Sequence, residues 1–104
     1  MKRLAILGST GSIGVNTLEI VEQCGEEFEV LALAAGRNLS LLREQITKHK
    51  PRLVSVHNQD LAGLLQEDLR DTGVEVVYGT EGLIRAATFP GVDLVVSAVV
   101  GSIG

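Results

Sequence analysis

Five short runs of apolar, largely β-branched residues recur along this chain, at Leu4–Leu7, Phe28–Ala35, Leu53–Val56, Val74–Tyr78 and Val92–Val100. Each is nearly continuous in apolar residues, as parallel strands covered on both faces require. Segments of helical period fill the intervals. Ile13, Thr17, Ile20, Val21 and Cys24 share one arc of a helical wheel, with Glu19, Glu22 and Gln23 outside it. Ser40–Lys50 reads as a second helix, its last turn carrying Lys48 and Lys50 ahead of Pro51. Leu61, Leu64, Leu65 and Leu69 mark a third, capped by Asp60 or Asn58 and followed by Gly73. A short fourth spans Glu81–Ala87 behind a Thr80 cap. The order β-α-β-α-β-α-β-α-β, with right-handed crossovers, gives an α/β fold: a doubly wound parallel sheet.

Directly after the first run stands Gly8-Ser9-Thr10-Gly11-Ser12-Ile13-Gly14, and the first helix begins inside it. The GxxGxxG spacing is a variant of the dinucleotide fingerprint. The first glycine permits a tight turn, the second lets a pyrophosphate approach the backbone, and the third lets helix pack closely on strand. N–H groups at the helix start, with the positive end of its dipole, then hold phosphate charge. Thr10 and Ser12 add hydroxyl donors. A Walker A loop is excluded because no lysine stands between Gly8 and Gly14, and the GxSxG of a nucleophile elbow is absent. The bland alternative is a tight βα turn with no ligand.

A domain of this kind that selects NAD carries an Asp or Glu near the end of its second strand. Here that stretch reads Ala34-Ala35-Gly36-Arg37-Asn38. An acid would repel a 2′-phosphate, whereas a guanidinium forms a bidentate, charge-assisted pair with it. Arg37 is therefore expected to read the 2′-phosphate of NADP. Gly36 lets the backbone turn close to the ribose, and Asn38 either donates to phosphate or caps the next helix.

Other function classes fit poorly. The chain has 104 residues, room for one small domain, and a formal charge of −4 with no basic block. With Phe28, Tyr78 and Phe89 as its aromatics, it lacks the cationic and stacking surface that nucleic acid demands. One cysteine, Cys24, excludes a disulfide framework and a thiolate zinc cluster. No apolar run is long enough to span a bilayer, so the expected compartment is the cytoplasm. His49, His57 and Cys24 read as surface or packing residues, and Glu67, Asp68 and Asp71 as a solvated face. No metal-ligand spacing and no nucleophile–base pair can be assembled. From the residues alone the reading stops at a Rossmann-type NAD(P)-binding domain.

The stretches Ile6–Gly14, Ala34–Asn38 and Val95–Gly101, in this order, closely resemble the 1-deoxy-D-xylulose 5-phosphate reductoisomerase family, and the similarity runs from Met1 to Gly104. What the resemblance implies is an enzyme that rearranges 1-deoxy-D-xylulose 5-phosphate and reduces the product with NADPH, giving 2-C-methyl-D-erythritol 4-phosphate for isoprenoid synthesis. It implies a divalent metal, Mg2+ or Mn2+, a phosphosugar substrate and a homodimer for the full-length protein. Carried over by motif, Thr10, Gly11, Ser12 and Ile13 line the pyrophosphate turn, while Gly36, Arg37 and Asn38 hold the 2′-phosphate end. Ala98 to Gly101 pass near the cofactor. The family often has Lys where Arg37 stands, which keeps the charge, and Ser97 replaces a common Asn or Ala. Metal ligands and catalytic residues follow Gly104 in the family pattern. The expectation is thus an N-terminal NADPH-binding piece, inactive alone and with weakened NADPH affinity. Another NADP-dependent dehydrogenase, such as a semialdehyde dehydrogenase, and a nucleotide-sensing regulatory domain are the alternatives.

Overall fold

The structure, a computed structural model, describes residues 2–97. Its elements follow in the order β1 (Lys2–Leu7), α1 (Ser12–Gln23), β2 (Phe28–Ala34), α2 (Leu39–His49), β3 (Leu53–Val56), α3 (Gln59–Asp68), β4 (Glu75–Tyr78), α4 (Gly79–Ala87) and β5 (Leu94–Ser97). All four strand pairings are parallel, and the sheet order is β4-β3-β2-β1-β5.

That order decides where the helices go. From β1 to β4 the chain steps across the sheet in one direction, and right-handed crossovers place α1, α2 and α3 on the same face. The step from β4 to β5 runs the opposite way, so the same handedness puts α4 on the other face. Two core clusters record the division. Leu18 and Val21 of α1, Leu42 and Ile46 of α2, and Ala62 and Leu65 of α3 pack with Leu4, Ile6, Leu33 and Val54. Ala86 of α4 packs with Ala5, Leu7, Ala32, Ala34 and Leu53. Successive residues of β1 and β2 thus alternate between a large-residue face and an alanine-rich one. Helix α4 lies close to the sheet at its glycine: a Cβ at Gly82 would sit 2.5 Å from Ser55 Oγ and 3.1 Å from Val77 Cγ2. A register shift between Leu4 and Ala5 leaves Leu31 of β2 without a partner on β1.

Several expectations need correction. The buried stripe of α1 is Gly14, Leu18 and Val21, while Ile13 and Ile20 are more than half exposed. The helix docks at its glycine, and the tight contact there rotates the bulkier isoleucines outward. In α3 the smaller Ala62 faces the sheet and Leu64 faces solvent, and Asn58, not Asp60, is the cap. Helix α4 starts at Gly79 rather than Glu81 and has no Thr80 cap. Tyr78 stays extended (φ −153°, ψ 165°) and feeds the helix with no loop between, so Thr80 lies inside the first turn. In the fifth run, which no helix follows among the described residues, Leu94 and Val95 are exposed; its residues 98–100 lie outside the described residues.

Gly14 is the tightest point of the fold. A Cβ there would collide with the Gly8 carbonyl oxygen and come within 2.7 Å of Ser9 Cα, both backbone atoms that cannot swing away. Gly14→Ala should therefore destabilise the chain by about 1–3 kcal/mol. Gly63, inside α3, has open space where a Cβ would go, and Gly63→Ala should stabilise by about 0.4–1 kcal/mol. Urea unfolding of both variants checks the opposite signs. A second outcome concerns pH. Burial pushes the His49 imidazole below its ordinary value; Glu22 opposes the shift and Lys48, bonded to Glu22 at 3.0 Å, adds to it. A depressed imidazole favours the neutral ring in the folded state, so the unfolded chain binds more protons as pH falls below about 6.5. This contribution to stability is lost on acidification, and His49→Gln should flatten the loss when unfolding midpoints are compared at about pH 7.5 and 5.5.

Candidate functional site

The carboxyl ends of β1, β2 and β3 converge on one edge of the sheet, beside the point where the strand order reverses at β1. Open α/β sheets bind ligands there. After Leu7 the chain enters Gly8 at φ 86°, a left-handed conformation that favours glycine. The N–H groups of Gly8 and Ser9 both donate to the Ala34 carbonyl, at 2.7 and 2.9 Å, and tie the turn to the end of β2. The Gly11 N–H then closes on the Gly8 carbonyl at 3.1 Å.

Helix α1 opens at Ser12 with Gly11 as its N-cap and no side-chain cap. Its ladder begins with the Val15 N–H on the Gly11 carbonyl at 2.9 Å. The N–H groups of Ser12, Ile13 and Gly14 stand ahead of that ladder. No acid occupies the first turn of α1, so the positive end of the dipole is not neutralised from within. By contrast, α2 and α3 have their leading N–H groups covered by Asn38 and Asn58, whose Oδ1 atoms accept from Leu41 and Leu61 at 3.1 and 2.9 Å. Gly11, Ser12 and Ile13 are exposed, and a Cβ at Gly11 would make only an ordinary 3.5 Å contact with Gly8 O. The chain's own packing does not demand glycine at position 11. The missing side chain instead leaves the outer side of the turn open.

The second predicted group lies at the end of β2. Ala35 N–H donates to the Ser55 carbonyl at 2.8 Å, and His57 N–H to the Gly36 carbonyl at 3.1 Å. Gly36 has open space where a Cβ would point. Arg37 Nη2 donates to His57 Nε2 at 2.9 Å. A guanidinium can only donate, so this contact requires a neutral ring with its proton on Nδ1. A groove of about 260 Å³ runs between Gly36, Val56, His57, Gly79 and Thr80. A larger recess of about 490 Å³, near Lys50, Arg52 and Leu69, opens at the amino ends of β3 and β4, away from this edge.

Thr10, Gly11, Ser12 and Ile13 thus form one turn, while Gly36, Arg37 and Asn38 form the loop at the end of the neighbouring strand. Asn38 spends its carbonyl oxygen on the helix cap. Ala98 to Gly101 lie outside the described residues. Two residues of the site escaped sequence reasoning. His57 reads from the sequence as a surface histidine and is exposed, but only the pairing of β2 with β3 brings it to Arg37. Gln45 donates from Nε2 to the Ser9 carbonyl at 2.7 Å and is buried. Its signal was present, since Leu42, Gln45 and Ile46 follow i, i+3, i+4 spacing and place a polar residue on an apolar stripe. Among the described residues, no group of three His, Cys, Asp or Glu side chains could hold a metal ion, and the side chains present do not fit one.

A family model for 1-deoxy-D-xylulose 5-phosphate reductoisomerase matches residues 4–104. The chain is 53% identical over its whole length to the reductoisomerase of Geotalea uraniireducens (strain Rf4), spanning 27% of that protein. It is 48% identical to that of Synechococcus sp. (strain CC9605), spanning 26% of it. Among solved structures it resembles DOX-P reductoisomerase in complex with NADPH, fosmidomycin and magnesium. That match has a TM-score of 0.87 at 33% identity and covers 94% of this chain and 24% of the other. The Zymomonas mobilis enzyme in complex with NADPH matches at a TM-score of 0.79 and 30% identity, covering 86% of this chain and 24% of that one. With the glycine-rich turn and the Gly36-Arg37-Asn38 loop in place on the same sheet edge, the chain belongs to the 1-deoxy-D-xylulose 5-phosphate reductoisomerase family.

Proposed function

We propose that this chain is the NADPH-binding part of an enzyme that rearranges 1-deoxy-D-xylulose 5-phosphate and reduces it to 2-C-methyl-D-erythritol 4-phosphate. The observation that carries the reading is the uncapped, acid-free amino end of α1, open to solvent one strand away from Arg37. Family membership favours this over a semialdehyde dehydrogenase.

In this reading the N–H groups of Ser12 and Ile13 and the hydroxyls of Thr10 and Ser12 bind the diphosphate. Arg37 meets the 2′-phosphate through charge-assisted hydrogen bonds, and His57 orients the guanidinium by accepting from Nη2. Because the carbonyl of Asn38 is committed to Leu41, its contact with phosphate falls to the amide NH2. Gly11 and Gly36 leave room for the ligand to lie against the backbone. When bound, NADPH supplies the hydride; the residues described here hold and orient it. For the whole protein we propose a phosphosugar substrate, a divalent metal, Mg2+ or Mn2+, held by residues other than those described, a homodimer and a cytoplasmic location. No described helix is long and apolar enough to cross a membrane.

Calorimetric titration of the chain with NADPH and with NADH tests the cofactor reading. NADPH should bind more tightly than NADH by about ten- to a hundredfold, the worth of a charged hydrogen-bonded pair. Arg37→Asp should abolish that preference while leaving NADH affinity nearly unchanged. An unaltered NADPH/NADH ratio in Arg37→Asp would remove the guanidinium from the 2′-phosphate site.

A further inference from the structure

Gln45 is a costly residue in a costly place. It lies on the buried stripe of α2 between Leu42 and Ile46, with only 6% of its surface exposed. Burying it desolvates an amide and freezes a long side chain. Its Nε2 is satisfied by the Ser9 carbonyl at 2.7 Å, but its Oε1 is buried without a partner, as is the hydroxyl of fully buried Ser9. Such unpaired groups are unfavourable to folding. A methionine would fill the same stripe without the orphaned Oε1, so apolar packing alone does not account for a glutamine here.

The bond it makes does. Ser9 C=O and Thr10 N–H belong to one peptide unit, which is planar and trans, so the two groups point in opposite directions. When Gln45 draws the Ser9 carbonyl into the interior, the Thr10 N–H is turned outward. The peptide on the other side of Ser9 is fixed independently, its N–H donating to Ala34 O at 2.9 Å. Gly14 blocks any retreat, because its Cα packs against Ser9 Cα too tightly for a further carbon. Ser9 is thus held from β2, from α1 and from α2.

We infer that Gln45 is a positioning residue for dinucleotide binding: it clamps the Ser9–Thr10 peptide so that the turn presents its N–H to the diphosphate. The inference rests on the NADPH reading above and deepens it. It also assigns α2 a part in phosphate binding although no atom of Gln45 reaches the ligand.

The test is titration of the chain, Gln45→Met and Ile46→Val with NADPH and with NADH, alongside thermal unfolding. Gln45→Met keeps the shape and removes the donor; Ile46→Val loosens the same helix without touching the turn. Gln45→Met should weaken both dinucleotides by the same factor, about tenfold, because the diphosphate is common to them. The NADPH/NADH ratio should persist, and backbone amide NMR signals of Ser9, Thr10 and Gly11 should move while those of Arg37 and Gly36 stay. Ile46→Val should lower the melting temperature and leave both affinities unchanged. If Gln45→Met binds both dinucleotides as the unsubstituted chain does, or loses no more affinity than Ile46→Val, the role of Gln45 is refuted and the NADPH reading stands. If the unsubstituted chain binds neither dinucleotide, the NADPH reading falls and carries this inference with it.

Discussion

Everything at the candidate site depends on how closely α1 approaches the end of β1. With no Cβ at Gly14, the helix start can rest against the backbone of Gly8 and Ser9. That contact sets the direction of the α1 axis and hence of its dipole. It also leaves the first N–H groups of the helix outside, facing the carboxyl edge of the sheet, with no side chain of the chain's own to cap them. A helix displaced outward by one methyl group would still pack on the sheet, but its amino end would stand farther from the backbone of Gly8 and Ser9.

The strand order adds the second constraint. A right-handed βαβ unit places β2 beside β1, which brings Gly36 and Arg37 next to the glycine turn. The next unit places β3 beside β2 and delivers His57 to Arg37. Only after β4 does the chain reverse, one unit later than in the usual 3-2-1-4 arrangement of such domains, and cross to the far side of β1. The charged loop and the turn therefore sit on adjacent strands.

Strand positions were legible because buried parallel strands leave continuous apolar runs, and Leu53–Val56 matches to the residue. The glycine turn was legible because its spacing has a mechanical meaning at each position: Gly8 carries the positive φ, Gly14 the close contact and Gly11 the open side. Helix orientation was less so. A helical wheel weighs side chains by hydrophobicity, so it favoured Ile13 and Ile20, whereas the docked face of α1 centres on a glycine that such a scale ignores. The Thr80 cap failed because β4 runs straight into α4, a junction with no loop signal. His57 and Gln45 were illegible as site residues for another reason. Each acts on a residue 20 or 36 positions away, and a single sequence does not display which distant backbone group will come within reach.

The alternation of β1 and β2 between a face of large side chains and a face of alanines has a mechanical consequence. On the side of α1, α2 and α3, away from the contact at Gly14, bulky side chains interlock. On the side of α4, Gly82 meets Ser55 and Val77 with no room for a further carbon, and Ala86 is buried among Ala5, Ala32 and Ala34. Any enlargement must therefore lift the whole helix. Since α4 begins at Gly79 and Thr80, on the rim of the groove beside His57, that lift would reshape the rim. The plainest residues of the chain thereby act as a spacer that sets the width of the opening on the opposite side of the sheet from the glycine-docked helix.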